Sequence, residues 1–215
     1  YPHSPEGGSV SEIERARLSD LFDQLGPSAP TLCSGWDNHH LVAHLVLRES
    51  SPVGLIKMLR PGAADAEIER LVSGEAFETL VDRWRHGPPL LSVFTIQQAD
   101  RLGNSLEFFV HHEDVRRAQP QWTRRELPAW VEDELWSRMR LASKLLMRKS
   151  TVGAELDRRD SGDSVVAAKG SPRVAVEGLA SELALFAFGR GEVADVKFAG
   201  SADRVEKLRN TRFGV

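Results

Sequence analysis

The sequence predicts an α+β protein, with a helical domain over residues 10–150 followed by a small α/β domain over 151–215. Three observations carry that reading. Apolar residues recur at helical spacing from Ile13 to Leu146. After Lys149 the texture changes to short alternating runs separated by Gly, Asp and Ser, the pattern of strands and hairpins. Within the helical part, Leu106–Arg117 places Glu107, His111, His112, Glu113 and Asp114 inside an otherwise apolar run.

The bulk numbers set the class. A chain of 215 residues with 41% hydrophobic and 27% charged residues has enough apolar material for a core. A net charge of -3 gives no basic footprint for nucleic acid. No apolar run approaches the roughly 20 residues of a membrane span, and no secretory core segment is present. A single cysteine, Cys33, excludes a disulfide framework within the chain and makes a cytoplasmic location the expectation. A monomer or homodimer is expected. Residues 1–9 read as a disordered tail or a tag.

Ser11-Glu12-Ile13-Glu14 has the form of a capping box and opens a first helix through Leu25, closed by Gly26-Pro27. Asp37 is the expected N-cap of a second helix carrying Leu41, Val42, His44, Leu45 and Leu47. Pro52 interrupts it, and a further helical piece is expected to about Arg60. Ile68 to Trp84 reads as a short helical pair or connection with Gly74 inside it. A long helix follows, from Thr95 or Asp100 to Ala118, closed by Pro120. Leu127-Pro128 starts another, with Trp130, Leu135, Met139, Ala142, Leu145 and Leu146 as its buried stripe. Strand-like runs at 152–156, 164–167 and 173–177, an apolar helix from Leu179, a strand at 193–198 and a short helix at 202–210 complete the chain.

On the long helix, at about 100° per residue, Glu107, His111 and Asp114 fall within roughly 60° of arc. Enclosing an unpaired carboxylate and imidazole is costly unless something pairs them. A metal ion does so, and Glu-x3-His is helical spacing for two ligands on one side. A catalytic zinc site takes a third protein ligand plus water, so the third comes from another helix. His44, alone in an apolar run, is the best candidate. His40, one turn earlier, competes with it. Asp114 reads either as an acceptor for an imidazole N–H or general base beside metal-bound water, or as a salt-bridge partner of Arg116 or Arg117. Arg48 shares the face of His44 and reads as a binder of an anionic substrate or as an ion-paired surface residue. Cys33 reads as an inert half-buried thiol more readily than as a nucleophile, because no histidine stands at a telling spacing from it. His112 and Glu113 face away from the stripe.

At these residues the chain resembles a known family. Pro30-Thr31-Leu32-Cys33-Ser34-Gly35-Trp36 with Leu41-Val42-Ala43-His44-Leu45 is similar to the N-terminal signature of the mycothiol-dependent maleylpyruvate isomerase family, within the DinB-like superfamily. Glu107-x3-His111-x2-Asp114 resembles its second metal motif. Val174-x-Val176-Glu177-Gly178, Glu182-Leu183 and Phe188-Gly189-Arg190 resemble its smaller C-terminal domain. The run Leu106–Arg117 looks like a subgroup described mainly as metal-binding proteins of unknown activity. The resemblance implies a DinB-like four-helix bundle followed by an α/β domain. It implies zinc or another divalent metal on His44, Glu107 and His111, with mycothiol as a thiol cosubstrate. It also implies that Arg190 reaches substrate from the C-terminal domain. The functional expectation is a metal- and mycothiol-dependent transferase or isomerase acting on a small electrophile. The competing expectations are a non-enzymatic metal-binding or sensing protein and a plain helical interaction module.

Overall fold

A computed structural model of the chain describes residues 8–50, 63–87 and 100–214. Among the described residues it is a mixed α/β protein with eight helices and one four-stranded sheet. It divides into two compact units, one over Ser11–Arg124 and one holding the chain from Arg125 onward.

The first unit is built from α1 (Val10–Leu25), α2 (Asn38–Ser50), α3 (Ala63–Gly74), α4 (Phe77–His86) and α5 (Asp100–Arg117). Leu41, Val42, Ala43, Leu45, Val46 and Leu47 of α2 are all buried, so this helix runs through the core rather than along its surface. Leu18 and Phe22 of α1, Ile68 and Leu71 of α3, and Phe108 and Val115 of α5 join the same core. In α4, Phe77, Leu80, Val81 and Trp84 stand at i, i+3, i+4 and i+7, which turns one stripe inward. Trp84 meets Phe108 edge-to-face at 4.7 Å, and Phe22 meets Phe77 in the same way at 6.0 Å. Arg15 of α1 locks this packing. Its guanidinium pairs with Glu49, donates to the Trp84 carbonyl and lies 4.1 Å over the Trp84 ring.

Local capping matches the sequence at one end and departs from it at another. Asp37 Oδ1 accepts the His40 N–H at 3.1 Å and caps α2. Ser11, by contrast, lies inside α1, which begins at Val10, and Glu14 extends to His112 of α5. One oxygen of that glutamate is thus engaged in a tertiary pair. The expected helical piece at 51–60 and the alternative start of the long helix at Thr95 lie outside the described residues.

The second unit holds α6 (Ala129–Leu146), β1 (Ala154–Arg158), β2 (Ser164–Ala168), β3 (Val174–Gly178), α7 (Ala180–Ala187), β4 (Lys197–Ala199) and α8 (Ala202–Arg209). The strand order is β2-β1-β3-β4. β1 and β3 pair in parallel at the centre, with Leu156 opposite Val176, and antiparallel edges flank them. α7 is buried along its whole length and packs with α6. The packing groups α6 with the chain that follows it, since it rests on α7 and β2. Glu132 of α6 fastens this joint. Its carboxylate accepts the Ser181 N–H at 2.9 Å and the Ser181 hydroxyl at 2.8 Å, in the first turn of α7. The buried stripe of α6 is Val131, Glu132, Leu135, Trp136, Met139, Ser143 and Leu146. Leu145, expected inside, is 58% exposed, because one residue beyond the stripe is a 100° turn away from it. Gly189 follows α7 with φ 85°, and a Cβ there would stand 2.7 Å from the Phe213 carbonyl oxygen. Among the described residues no helix is long and apolar enough to cross a membrane.

Candidate metal centre

Three donors from two helices converge in the first unit. His44 comes from α2, and Glu107 and His111 come from consecutive turns of α5. One ligand atom of each lies within 4.8 Å of the other two. His111 Nε2 stands 3.4 Å from Glu107 Oε2, and the His44 and His111 rings meet edge-to-face at 5.2 Å. The Trp36 ring also lies against His44, 5.1 Å away and tilted. His44 is only 9% exposed, yet neither ring nitrogen makes a hydrogen bond among the described residues.

The electrostatics differ from donor to donor. Burial, assisted by the neighbouring His111 and Arg48, drives the His44 pKa down to about 3 against the pull of Glu107 and Asp114. His44 is therefore neutral, with a free lone pair, at any ordinary pH. Burial works to raise the pKa of Glu107, but the His111 hydrogen bond and the charges of Arg48, His111 and His44 bring it down to about 2. Burial likewise opposes protonation of His111, and Asp114, Cys33 and Glu107 together overcome it and hold its pKa well above the usual value. The imidazolium proton of His111 thus stands where carboxylates already favour a cation.

This donor set suits a divalent metal. Two histidines and a glutamate form a common catalytic zinc set, with bonds of about 2.0–2.2 Å and a fourth position left open. Tetrahedral ligands at that distance stand roughly 3.3 Å apart. The 3.4 Å between His111 Nε2 and Glu107 Oε2 has that spacing, and a His44 ligand atom lies within 4.8 Å of both.

Asp114, the residue expected as a catalytic group or an arginine partner, is fully buried with its Oδ2 2.9 Å from His111 Nδ1. A carboxylate on the far nitrogen of a ligating histidine fixes the tautomer that frees the near one. Arg116 and Arg117 pair with the neighbouring Glu113, at 2.8 Å and 2.5 Å. His112 pairs with Glu14 at 2.6 Å, away from the donors. His40 stands between Asp37 at 2.6 Å and Glu69 at 3.4 Å and is not among the convergent donors. Arg48 is half-buried and donates to Asn104 Oδ1 at 2.6 Å. Arg190 belongs to the second unit, where it donates to the Phe188 carbonyl.

The contact the sequence did not reveal is that of Cys33 with Asp114 and His111. The Cys33 Sγ lies 3.2 Å from Asp114 Oδ2 and 3.9 Å from His111 Nδ1. No spacing along the chain signals a contact between residues 78 positions apart. The loop that carries Cys33 is fixed to α5 by a main-chain bond, with the Leu32 N–H donating to the Asp114 carbonyl at 3.0 Å. Thr31 Oγ1 steadies the turn by accepting the Cys33 N–H at 3.1 Å and donating to the Trp36 carbonyl at 2.8 Å.

No family model matches this chain, and no curated protein matches its sequence. Its fold does match solved structures. Mycothiol-dependent maleylpyruvate isomerase superposes with a TM-score of 0.60, and a histidine-to-alanine variant of that enzyme with 0.61. In both cases identity is 18%, and the match covers 88% of this chain and 90% of the other. What the chain shares with that isomerase at this identity is its fold, across nearly the whole length of both.

Proposed function

We propose that this chain is a zinc-dependent, mycothiol-using transferase or isomerase that acts on a small electrophile. His44, Glu107 and His111 hold the metal. The observation that carries the reading is the unpartnered, neutral His44 imidazole facing an ionised Glu107 and the near nitrogen of His111. The fold shared with a mycothiol-dependent isomerase supports mycothiol as the thiol.

A divalent metal bound there supplies positive charge that lowers the pKa of a coordinated thiol, and so stabilises the nucleophilic thiolate at neutral pH. The chain's own residues prepare that position. Asp114 keeps a proton on His111 Nδ1, so that Nε2 offers its lone pair beside Glu107. His111 would ligate through Nε2 as a neutral imidazole, the form in which a histidine holds a metal. Arg48, steadied by Asn104, presents a guanidinium to the anionic part of a substrate. Arg190 is proposed as a second substrate-binding arginine, from the unit that follows. The helical unit is read as a DinB-like bundle, and the chain as a cytoplasmic protein acting as monomer or homodimer.

Metal analysis and turnover test this together. The purified protein is expected to hold zinc, and His44→Ala, Glu107→Ala and His111→Ala are each expected to lower its content. Calorimetry is expected to show mycothiol binding that needs the metal, and turnover of an electrophile is expected to need both. Unchanged metal content in all three variants overturns the site, and thiol-independent turnover overturns the cosubstrate.

A further inference from the structure

His111 has two nitrogens, and a carboxylate and a second metal-ligating side chain stand at each. Nε2 faces Glu107 and His44. Nδ1 faces Asp114 and Cys33, which with His111 form a second group of three donors within 4.8 Å of one another. We propose that Cys33 Sγ, Asp114 Oδ2 and His111 Nδ1 form a second cation site, for a thiophilic divalent ion such as zinc, with the His111 imidazole bridging the two sites. The inference goes beyond the proposed function, whose metal lies on the Nε2 side; it shares His111 with that reading, and a cation at Nδ1 takes the place of the proton that Asp114 otherwise holds there.

Geometry is the first support. A tetrahedral zinc with a sulfur ligand at about 2.3 Å and nitrogen or oxygen ligands at about 2.0–2.1 Å sets its ligand atoms roughly 3.3–3.6 Å apart. The donors here stand 3.2 Å (Sγ to Oδ2), 3.9 Å (Sγ to Nδ1) and 2.9 Å (Nδ1 to Oδ2) apart. Each separation is within about 0.5 Å of what the ion needs.

Preorganisation is the second. The three donors come from the loop at Pro30–Asp37 and from α5, and these are joined through main-chain atoms. Leu32 N–H holds the Asp114 carbonyl, and Pro30 and Asp37 close the loop by a bridge. The Thr31 hydroxyl fixes the backbone at Cys33 itself. Nothing has to fold for the site to form. Asp114 is fully enclosed while Cys33 is half-exposed, so the cation arrives from the thiol side.

Charge balance is the third. Metal ligands bind deprotonated. A dication entering this site releases the Cys33 thiol proton and the His111 Nδ1 proton to solvent. Two positive charges arrive and two leave, so the centre as a whole gains none. That balance lets a second dication sit across an imidazole ring from the first. Thiolate and imidazole together select a soft or borderline ion over magnesium or calcium.

Cobalt reports the two sites separately. The full-length protein, stripped of metal with a chelator, is titrated with Co²⁺ while absorbance and bound cobalt are followed. Cys33 is the chain's single cysteine, so any thiolate-to-cobalt charge-transfer band in the near ultraviolet belongs to it. Two equivalents are expected to bind, with the charge-transfer band appearing with one of them. Cys33→Ser is expected to abolish the band and leave one equivalent. His44→Ala is expected to keep the band and also leave one. One equivalent with visible ligand-field bands and no charge-transfer band in the unmutated protein overturns this inference and leaves the proposed function standing. A single equivalent that carries the band, unaffected by His44→Ala, supports the Cys33 site and removes the other.

Discussion

Glu107 and Glu132 are largely enclosed glutamates on two long helices, and they end in opposite electrostatic states. In the helical unit, Glu107 is held ionised, its pKa brought to about 2 by His111, Arg48 and His44 against the effect of burial. In the second unit, burial outweighs the two hydrogen bonds that Glu132 accepts from Ser181, and its pKa stays above the usual value. The difference lies in what surrounds each group. Glu132 meets neutral donors that satisfy it and fasten one helix to another. Glu107 meets ionisable groups, one of which, His44, makes no hydrogen bond among the described residues. Glu113 with Arg117 and His112 with Glu14 follow the pattern of Glu132, although they sit on the same helix as Glu107. Closed pairs hold the architecture, and the incomplete set marks the site.

The comparison breaks most clearly on metal content. His44→Ala or Glu107→Ala is expected to weaken zinc binding by more than the roughly 10–100-fold typical of losing a supporting partner. Glu132→Ala is expected to leave binding unchanged. Equilibrium dialysis with elemental analysis reads all three, and a comparable loss in Glu132→Ala would remove the distinction.

Next in size is the closed pair on α5. Glu113→Ala leaves Arg117 enclosed without its carboxylate, and is expected to cost about 3 kcal/mol in urea unfolding of the metal-free protein. Asp114→Asn keeps the shape but takes away the carboxylate on His111 Nδ1. It is expected to weaken zinc binding by about 10–100-fold while keeping the circular dichroism of the folded protein.

The pH dependence of Glu132 is smaller. Its folded pKa lies above the ordinary 4.5, so its contribution to stability is complete below 4.5 and is lost as pH rises through the folded value. Glu132→Gln is expected to flatten that part of the stability curve, read as urea midpoints on either side of 4.5. Smallest is Leu145→Lys on the outer face of α6, expected within about 0.5 kcal/mol of the parent by the same measurement.

What was legible in the sequence follows periodicity. The helical stripe of Phe77, Leu80, Val81 and Trp84 and the alternating strands after Lys149 announce themselves, because a helix or strand must turn one face inward. The placing of Glu107 and His111 on one side of α5 is equally local, since four residues make about one turn. The other contacts are set by tertiary packing. Nothing near Glu14 says that it will turn from its own helix end to His112, and nothing near Cys33 says that Asp114 lies beside it. Apolar identity is a poor guide to the inward face of α6 at Leu145, which is exposed together with Leu141 one turn earlier; exposed apolar residues are ordinary on folded surfaces.

The bond from Leu32 N–H to the Asp114 carbonyl has a further consequence. It joins loop and helix through atoms that every residue type except proline possesses on the donor side, and every residue type on the acceptor side. The side chains at 33 and 114 can therefore be exchanged in the course of descent without unfastening the frame that presents them. Such a mount separates the scaffold from the chemistry it presents: Cys33→Ser or Asp114→Asn changes the group on display and leaves the main-chain bond that displays it.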